Sequence, residues 1–530
     1  MSRLLLRSGI VLGSTSGVYL YLKDKEQPFR PLTFWRKIMP IYMHYRYVQW
    51  TKQEELNPNV WEDLHLKYAP KVLDAILELK GIYIKVGQVL ATRPDIAPKI
   101  YQDAFKVLLD GVPGISGKEA RENVENQLGR PIDDLFSYFD DKPIAAASVG
   151  QVHRAKMIDG RDVVVKIQHP GAFELFQTDI GTVSAFVKMA QPEQALVLDE
   201  LERQILLEFD FEREAWALEK VHHNITNFFP NVKIPLPVDG LFNRTVLVMD
   251  YIPGEKLIDV AVKNGELTAK RLGISFEELQ RQSLAPSFTF QLRYLLMKSF
   301  SALHRYIIQT YNFTFGRILF PLTVPKKLLD INKLYNDLLQ VHGKQLLIDG
   351  LLNGDPHPGN ILVTPDGKLG LIDYGQVKTF TQKERRDSAK MMMLLNKGPD
   401  AMDEIVKFAI SMGFETEKND PLVIYKTCVI AYDRDDLGVT DGLGLQAYME
   451  MMDKRDRTKR IPENMFMAVR TCIILRGLSA ILGPNHPPIS ISHEWQHYAK
   501  LALQMFPEDL DHDHIKPIYT PSKKLVLPIN

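Results

Sequence analysis

Residues 352–376 read LNGDPHPGNILVTPDGKLGLIDYGQ, and this stretch decides how the rest of the chain is interpreted. Asp355 is followed five residues later by Asn360, and a short apolar run follows the asparagine. A turn at 365–367 leads into a second apolar run, which ends in the DYG sequence at 373–375. In kinase-fold enzymes, an Asp, an Asn and a second Asp in this order hold the nucleophile and the metal ions around a nucleoside triphosphate.

The length and composition of the chain indicate how many domains to expect and which kinds of partner are not expected. At 530 residues the chain is too long for one compact core, so two or three domains are expected. It is 45% hydrophobic and 25% charged, as folded proteins are, and its net charge of zero argues against a nucleic-acid partner. The two cysteines, Cys428 and Cys472, are far apart in sequence, which argues against a disulfide framework or a zinc site.

The first 23 residues differ in composition from the rest of the chain. They contain Arg3, Arg7 and Lys23, no acidic residue, and a mostly apolar run over 4–22. An arginine-containing, acid-free start predicts an organelle transit peptide, and we expect a mitochondrial rather than a plastid address. The apolar run could instead form a weak membrane anchor, although Arg7 interrupts it, or a helix packed on the body.

A predicted helix over 71–90 carries a polar pair. Apolar residues recur there at spacings of three and four. Lys85 and Gln88 are three residues apart and project from one face, which on spacing alone would be solvated. Gly87 lies between them and lowers helix stability, so we expect close packing at this position.

The segment over 141–167 is typical of the start of a kinase N-lobe. Two runs, IAAASVGQVHRA at 144–155 and DVVVKI at 162–167, flank Asp159-Gly160, and this pattern predicts a β-hairpin. Lys166 follows three valines, so we expect it to reach the α- and β-phosphates rather than solvent. A turn of small residues would close over the phosphates, and its members are Ala145, Ala146, Ala147, Ser148 and Gly150.

The next helix, expected over about 194–222, should supply the acid that orients Lys166. Glu208 is the first choice and Glu214 the competitor. Strands are then predicted over 233–238 and 244–251, and the second strand breaks at a Pro-Gly pair. This break fits the hinge between two lobes, and the residues that would meet adenine there are Met249 and Tyr251.

Residues 283–329 have an unusual composition, with nine aromatic residues, six Lys or Arg and no Asp or Glu. A basic, aromatic-rich helix of this kind suits contact with a membrane surface. A partner-binding insertion and an error in the coding sequence are the alternatives. An ordinary helix over 330–342 then leads to the opening stretch.

The residues after Gly375 indicate whether the substrate could be a protein. Thr381 and Glu384 form a capping-box pattern, so a helix is expected to start about six residues after the glycine. A protein kinase would place a long activation segment here as the platform for its peptide. The short link therefore argues against a protein substrate.

Six motifs in this order resemble those of the UbiB family of atypical kinases, also called aarF-domain-containing kinases. They are 85–88 for the KxGQ motif, 145–151 for the alanine-rich loop, Lys166 for the strand lysine, 208–210 for ExD, 355–360 for DPHPGN, and 373–375 for the DFG equivalent. One departure is Asn353, because the family usually has a histidine two residues before the catalytic aspartate.

The resemblance implies a role for each matched residue. Asp355 would be the catalytic-loop aspartate near the attacking oxygen, and Asn360 and Asp373 would hold Mg²⁺. Lys166 would neutralise phosphate charge, and Glu208 would orient the Lys166 side chain.

The resemblance also implies a restricted pocket. Lys85 and Gln88 would face the nucleotide instead of solvent, on a helix that covers the site where a protein kinase receives its peptide. The methyl groups of the alanine-rich loop would alter the nucleotide geometry and disfavour protein phosphorylation.

The expected fold class is α+β, a bilobal protein-kinase-like fold with an N-terminal helical KxGQ extension and a helical C-terminal region. The expected divisions are a transit peptide or anchor at 1–23, the extension at 24–140, the N-lobe at 141–254, the C-lobe with the 283–329 insertion at 255–380, the helical region at 381–510 and a tail at 511–530.

The expected function is that of a Mg²⁺-dependent ATPase, or of a phosphotransferase acting on a small or lipid-like molecule, in mitochondrial lipid or coenzyme Q homeostasis. The rival from another class is a nucleotide-gated pseudokinase scaffold that binds a lipid or protein partner. A protein kinase is the third hypothesis. Retention of Lys166, Asp355, Asn360 and Asp373 argues against a pure scaffold.

Overall fold

The computed structural model describes residues 30–51, 58–92, 97–109, 114–146, 149–190, 202, 205–284, 287–314, 322–324, 328–482 and 489–507. The expected transit peptide or anchor at 1–23, the tail at 511–530, and Ala147 and Ser148 of the small-residue turn lie outside these residues. The chain is α+β and divides into two compact units between Phe209 and Asp210.

Helices form most of the N-terminal unit. They are α1 (Arg30–Thr51), α2 (Pro58–Leu79), α3 (Ile82–Thr92), α4 (Lys99–Phe105), α5 (Gly117–Leu128) and α6 (Ala172–Ala190). α1, α2, α3 and α6 share a core that includes Phe34, Ile76 and Phe176. A buried ion pair also joins α1 to α6, because Arg30 Nη2 lies 2.6 Å from Asp179 Oδ2.

The single helix expected over 71–90 is wrong, because the chain forms two helices there. α2 ends at Leu79, and Lys80 and Gly81 then have positive φ angles of 54° and 52°. A left-handed conformation ends an α-helix, and glycine adopts it without steric cost. The Arg30 guanidinium donates a hydrogen bond to Leu79 O, which satisfies one of the carbonyl groups that the break exposes.

Four antiparallel strands of the N-terminal unit form its sheet. They are β1 (Phe136–Phe139), β2 (Ala145–Ala146), β3 (Gly150–Met157) and β4 (Asp162–Gln168). β3 pairs with β1, β2 and β4, and the predicted hairpin is confirmed, with Lys156 opposite Asp162 at its turn. The register also places Lys166 opposite Val152.

The helix expected over 194–222 is interrupted near its middle. Residues 205–207 are helical, Glu208 and Phe209 form a turn, and α7 (Phe211–Thr226) begins after Asp210. The Asp210 carboxylate accepts a hydrogen bond from the Arg213 N–H at 3.0 Å, so Asp210 is the N-cap of α7. Glu208 therefore lies outside the helix, whereas Glu214 lies in its first turn.

Short strands position the opening stretch in the C-terminal unit. They are β5 (Val232–Lys233), β6 (Pro237–Phe242), β7 (Val246–Asp250), β8 (Glu255–Lys256), β9 (Leu351–Asn353), β10 (Ile361–Val363), β11 (Leu369–Leu371), β12 (Val377–Thr379), β13 (Glu415–Thr416) and β14 (Thr458–Arg460). β6 pairs with β7, β9 pairs with β12, and β5, β11, β10 and β8 form a sheet in that order. The strand expected over 233–238 is displaced, because β5 ends at Lys233 and β6 begins at Pro237.

Helices cover the rest of the C-terminal unit. They are α8 (Leu257–Leu272), α9 (Phe276–Leu284), α10 (Phe288–Thr314), α11 (Ile331–Lys344), α12 (Gln382–Leu395), α13 (Met402–Ser411), α14 (Pro421–Tyr432), α15 (Leu445–Arg455), α16 (Glu463–Leu482) and α17 (Ile491–Met505). The predicted capping box at Thr381 and Glu384 is confirmed at the start of α12. Trp495 on α17 is fully buried and donates its Nε1–H to Leu339 O at 2.9 Å, which fixes α17 against α11. None of the helices described here has the length and apolar character that crossing a membrane requires.

Candidate active site

One buried amide holds the two aspartates of the opening stretch. Asn353 ends β9 and is 5% exposed. Its Nδ2 donates to Asp373 O at 3.0 Å, and its Oδ1 accepts from the Asp355 N–H at 3.0 Å. A neutral histidine also offers one donor and one acceptor, so asparagine can provide the same two bonds. The residue that departs from the UbiB pattern therefore braces the site.

The bracing network continues away from the two aspartates. The Asn353 N–H donates to Gln345 Oε1 at 3.2 Å, and Gln345 Nε2 donates to Tyr374 Oη at 3.2 Å. Burial raises the pKa of the Tyr374 hydroxyl well above its ordinary value, so the group stays neutral. Tyr374 thus anchors the middle of the 373–375 turn in the core.

The β10–β11 hairpin brings the two predicted metal ligands to one end. Ile361 lies opposite Leu371, and the Ile372 N–H donates to Asn360 O at 3.2 Å. Asn360 precedes β10, and Asp373 follows β11 by two residues. Both are half-buried, and amide and carboxylate oxygens are the ligands that Mg²⁺ prefers.

A metal ion here would need further oxygen ligands. Among the described residues, no group of three or more His, Cys, Asp or Glu side chains could hold a metal. Kinase-fold sites meet this need with phosphate oxygens of the nucleotide and with water. The Asn360 and Asp373 pair therefore fits a metal that arrives with a triphosphate.

Arg470 contacts the predicted catalytic aspartate, and sequence reasoning missed it. It lies on α16, where its Nη2 is 3.4 Å from Asp355 Oδ1 and its Nη1 donates to Gln376 Oε1 at 2.9 Å. The bond to Gln376 thus holds the Arg470 guanidinium beside the Asp355 carboxylate. The sequence offered no signal for Arg470, because an arginine on a helix outside any motif is usually a surface residue.

The start of α7 lies against the 373–375 turn. Arg213 Nη1 lies 3.5 Å from Gly375 O, and its guanidinium also donates to Val377 O. Glu214 is 2% exposed, and a Cβ added to Gly375 would lie 3.6 Å from its Oε2. Of the two acids considered from the sequence, Glu214 is thus the one that occupies a helix next to the 373–375 turn.

The N-terminal unit brings Lys85 and Glu208 together. Lys85 Nζ lies 2.5 Å from Glu208 Oε1, with both side chains partly buried. Gln88 Nε2 donates to Leu108 O at 2.9 Å, so neither motif residue projects freely into solvent. The expected close packing at Gly87 is confirmed, because a Cβ there would collide with Leu108.

The other predicted nucleotide-binding residues lie on strands or next to them. Ala145 and Ala146 form β2 opposite Val152 and Gln151, and Lys166 is half-buried on β4. Gly150 packs so closely that a Cβ would collide with Ile167 O, which requires glycine at this position. In the C-terminal unit, Met249 is buried on β7, and Tyr251 follows the end of that strand.

Comparisons with known proteins match most of the chain. A family model described as "ABC1 atypical kinase-like domain" matches residues 107–291 and 319–405, which is about half of the chain. Mouse AarF domain-containing protein kinase 1 is 25% identical over 89% of this chain and 82% of its own length. The chloroplastic protein ACTIVITY OF BC1 COMPLEX KINASE 8 from Arabidopsis thaliana is 24% identical over 77% of this chain and 51% of its own length, so the chain spans about half of that relative.

A solved structure is similar over much of the same length. The complex of Rv3197 with erythromycin from Mycobacterium tuberculosis covers 82% of this chain and 97% of that chain, with a TM-score of 0.41 and 21% identity.

Proposed function

Because the chain belongs to the ABC1 atypical kinase-like family, we propose that it binds ATP with Mg²⁺. It would either hydrolyse the ATP or transfer a phosphoryl group from ATP to a small or lipid-like molecule. The observation that supports this most directly is the Asn353 bridge between Asp355 and Asp373. Catalysis of phosphoryl transfer depends mainly on positioning and electrostatic stabilisation. Two aspartates held by one buried amide meet the positioning requirement.

The C-terminal unit would supply the residues closest to the reaction. Asp355 would lie beside the attacking oxygen, with the Arg470 guanidinium beside its carboxylate. Asn360 and Asp373 would hold Mg²⁺, which neutralises phosphate charge when it is bound.

The charge on the α- and β-phosphates would be met by Lys166, as the family resemblance implies. Glu208 is the proposed acid that orients Lys166, with Glu214 as its competitor. Glu214 is buried on α7, whereas Glu208 lies in a turn and forms an ion pair with Lys85.

The route to a protein substrate is restricted after Gly375. β12 (Val377–Thr379) follows almost at once, and the capping box at Thr381 starts α12. The link therefore has no length for an activation segment that would hold a peptide. This supports a small or lipid-like acceptor, or water.

An anionic membrane surface is the proposed partner, and α10 is the element that supports it. Phe290 packs with α8 and α9 in an apolar cluster, which anchors the first turns of α10. The opposite face is apolar and exposed, and includes Phe300 at 71%, Leu303 at 56% and Tyr306 at 67%. Residues 283–329 carry six Lys or Arg and no acid, so their charge complements anionic lipid.

The proposal is tested by ATP turnover with Mg²⁺, with and without vesicles of anionic lipid. We expect Mg²⁺-dependent turnover above that of the Asp373→Asn variant, and a higher rate with vesicles. Leu303→Asp is the matched membrane variant, and it should lower vesicle binding while turnover without vesicles is retained. ATP binding without turnover would favour the pseudokinase scaffold, and efficient phosphorylation of generic proteins would contradict the restricted acceptor.

The proposed location is the mitochondrion, with a role in lipid or coenzyme Q homeostasis. The acid-free start with Arg3 and Arg7 supports an import signal. A chain that lacks residues 1–23 should lose import into isolated mitochondria, measured as protection from added protease. The Arg3→Glu, Arg7→Glu chain is the control of unchanged length and should also fail. Full import of the shortened chain would contradict this location signal.

A further inference from the structure

A cavity of about 270 Å³ lies in the N-terminal unit, beside the ion pair of Lys85 and Glu208. α3, α6 and the residues that precede these helices form much of its wall. Buried apolar side chains, among them Ile84 and Phe176, line its inner part. The exposed residues Lys80 and Pro170 also line it, so the cavity reaches the surface at their end.

The charged side chains of the cavity wall are lysines. Lys80 and Lys85 line the cavity, and none of its described lining residues is Asp or Glu. Lys85 Nζ lies 2.5 Å from Glu208 Oε1, and the two side chains are 21% and 18% exposed. An ammonium group has three donors, and a ligand carboxylate in the cavity would compete with Glu208 for Lys85. The wall thus combines an apolar interior with a cation at one side.

We propose that this cavity binds a monocarboxylate with a short apolar chain, such as a medium-chain fatty acid. The carboxylate would accept a charge-assisted hydrogen bond from Lys85 Nζ, and the chain would fill the apolar part. A dry apolar cavity of about 150 Å³ is large enough for benzene, so the larger volume here has room for a chain of about eight carbons. The test of this site needs no nucleotide.

The first test uses the unaltered full-length chain and three probes. Isothermal titration calorimetry without nucleotide would measure octanoate, octan-1-ol and acetate. We expect one octanoate per chain and an affinity about tenfold higher than that of octan-1-ol, because the alcohol lacks the charge. Acetate should bind most weakly, because it lacks the apolar chain.

Variants distinguish binding at Lys85 from a general loss of structure. Lys85→Met should weaken octanoate binding about tenfold, because it removes the cation. Glu208→Gln should strengthen binding, because it removes the carboxylate that competes for Lys85. Ala172→Leu should weaken binding by filling the cavity, whereas Lys188→Met removes an exposed lysine that does not line it and should have no effect.

Opposite signs for the two ion-pair variants are the decisive result. A purely structural role for the pair would make Lys85→Met and Glu208→Gln change the affinity in the same direction. That result would overturn the proposal, as would equal affinities for octanoate and octan-1-ol, octanoate binding that Ala172→Leu leaves unchanged, or no octanoate binding at millimolar concentrations. If circular dichroism shows that Lys85→Met is unfolded, the probe comparison and Ala172→Leu decide the outcome.

Discussion

Replacing Asp373 by Asn is expected to lower Mg²⁺-dependent ATP turnover by roughly 100-fold to 1000-fold. The carboxylate supplies the negative charge that would hold the metal, and an amide oxygen is a weaker ligand for it. The Gly375 N–H donates to Asp373 Oδ1 at 2.9 Å, and an asparagine oxygen can accept the same bond. The turn should therefore remain folded, so the loss would come from metal binding and not from unfolding.

The matched control is Asp366→Asn, at the other end of the β10–β11 hairpin. Asp366 is an exposed turn residue whose Oδ1 accepts from Thr364 Oγ1 at 2.6 Å. Its substitution makes the same chemical change on the same hairpin. Turnover should stay within about twofold of that of the unaltered chain. Turnover should be measured over a range of Mg²⁺ concentrations, together with the Mg²⁺-dependent rise in melting temperature caused by ATP. Equal turnover and equal Mg²⁺ dependence in Asp373→Asn and the unaltered chain would contradict the metal assignment.

Replacing Asn353 by Leu is expected to lower turnover by about 10-fold to 100-fold. Leucine has a similar size, but it leaves the Asp355 N–H and Asp373 O without the bonds that Asn353 provides. Two partly buried polar groups would each lose a hydrogen bond, so the free energy of unfolding should also fall by about 2 kcal/mol. Small displacements of both aspartates would reduce the rate, because phosphoryl transfer depends on the positions of the groups that take part in it.

Asn353→His provides the informative comparison for this substitution. Its ring can donate to Asp373 O and accept from the Asp355 N–H, so turnover should stay much closer to that of the unaltered chain. The turnover rate and chemical denaturation should be measured for both variants. A Leu variant as active as the unaltered chain would show that the bridge has no catalytic role. A His variant as impaired as the Leu variant would show that size, and not hydrogen bonding, governs this position.

Signals carried by neighbouring residues predicted much of the fold. Asp159-Gly160 indicated a hairpin, and Thr381 with Glu384 indicated a helix start, because both patterns depend on bonds within a few residues. The break at Lys80 was hidden, because apolar periodicity continues across it and lysine rarely adopts a positive φ angle. The contact of Arg30 with Leu79 O, which stabilises the break, comes from a distant part of the chain.

The site residues that belong to motifs could be predicted from the sequence. The residues that are positioned by contacts with distant parts of the chain could not. The order of Asp355, Asn360 and Asp373 was visible in the sequence, and the hairpin register explains the spacing of Asn360 and Asp373. The environment of Glu208 was not visible in the sequence. Asp210 caps α7, which leaves Glu208 outside the helix, but an aspartate can equally well lie within a helix. The UbiB motif also marked Asn353 as a departure from the usual histidine. Only its two hydrogen bonds show that it holds Asp355 and Asp373 in place.

The contact between Arg470 and Asp355 sets a lower limit on how much of the chain can act alone. Arg470 lies on α16, well beyond residue 405, where the match to the family model ends. A recombinant fragment trimmed to the end of that match would keep the six motifs between residues 85 and 375 only if its start were extended past the match, and it would still lose the guanidinium beside the candidate catalytic aspartate. The family-model match therefore ends before one residue of the candidate site, and deletion mapping of this protein should retain its C-terminal helices.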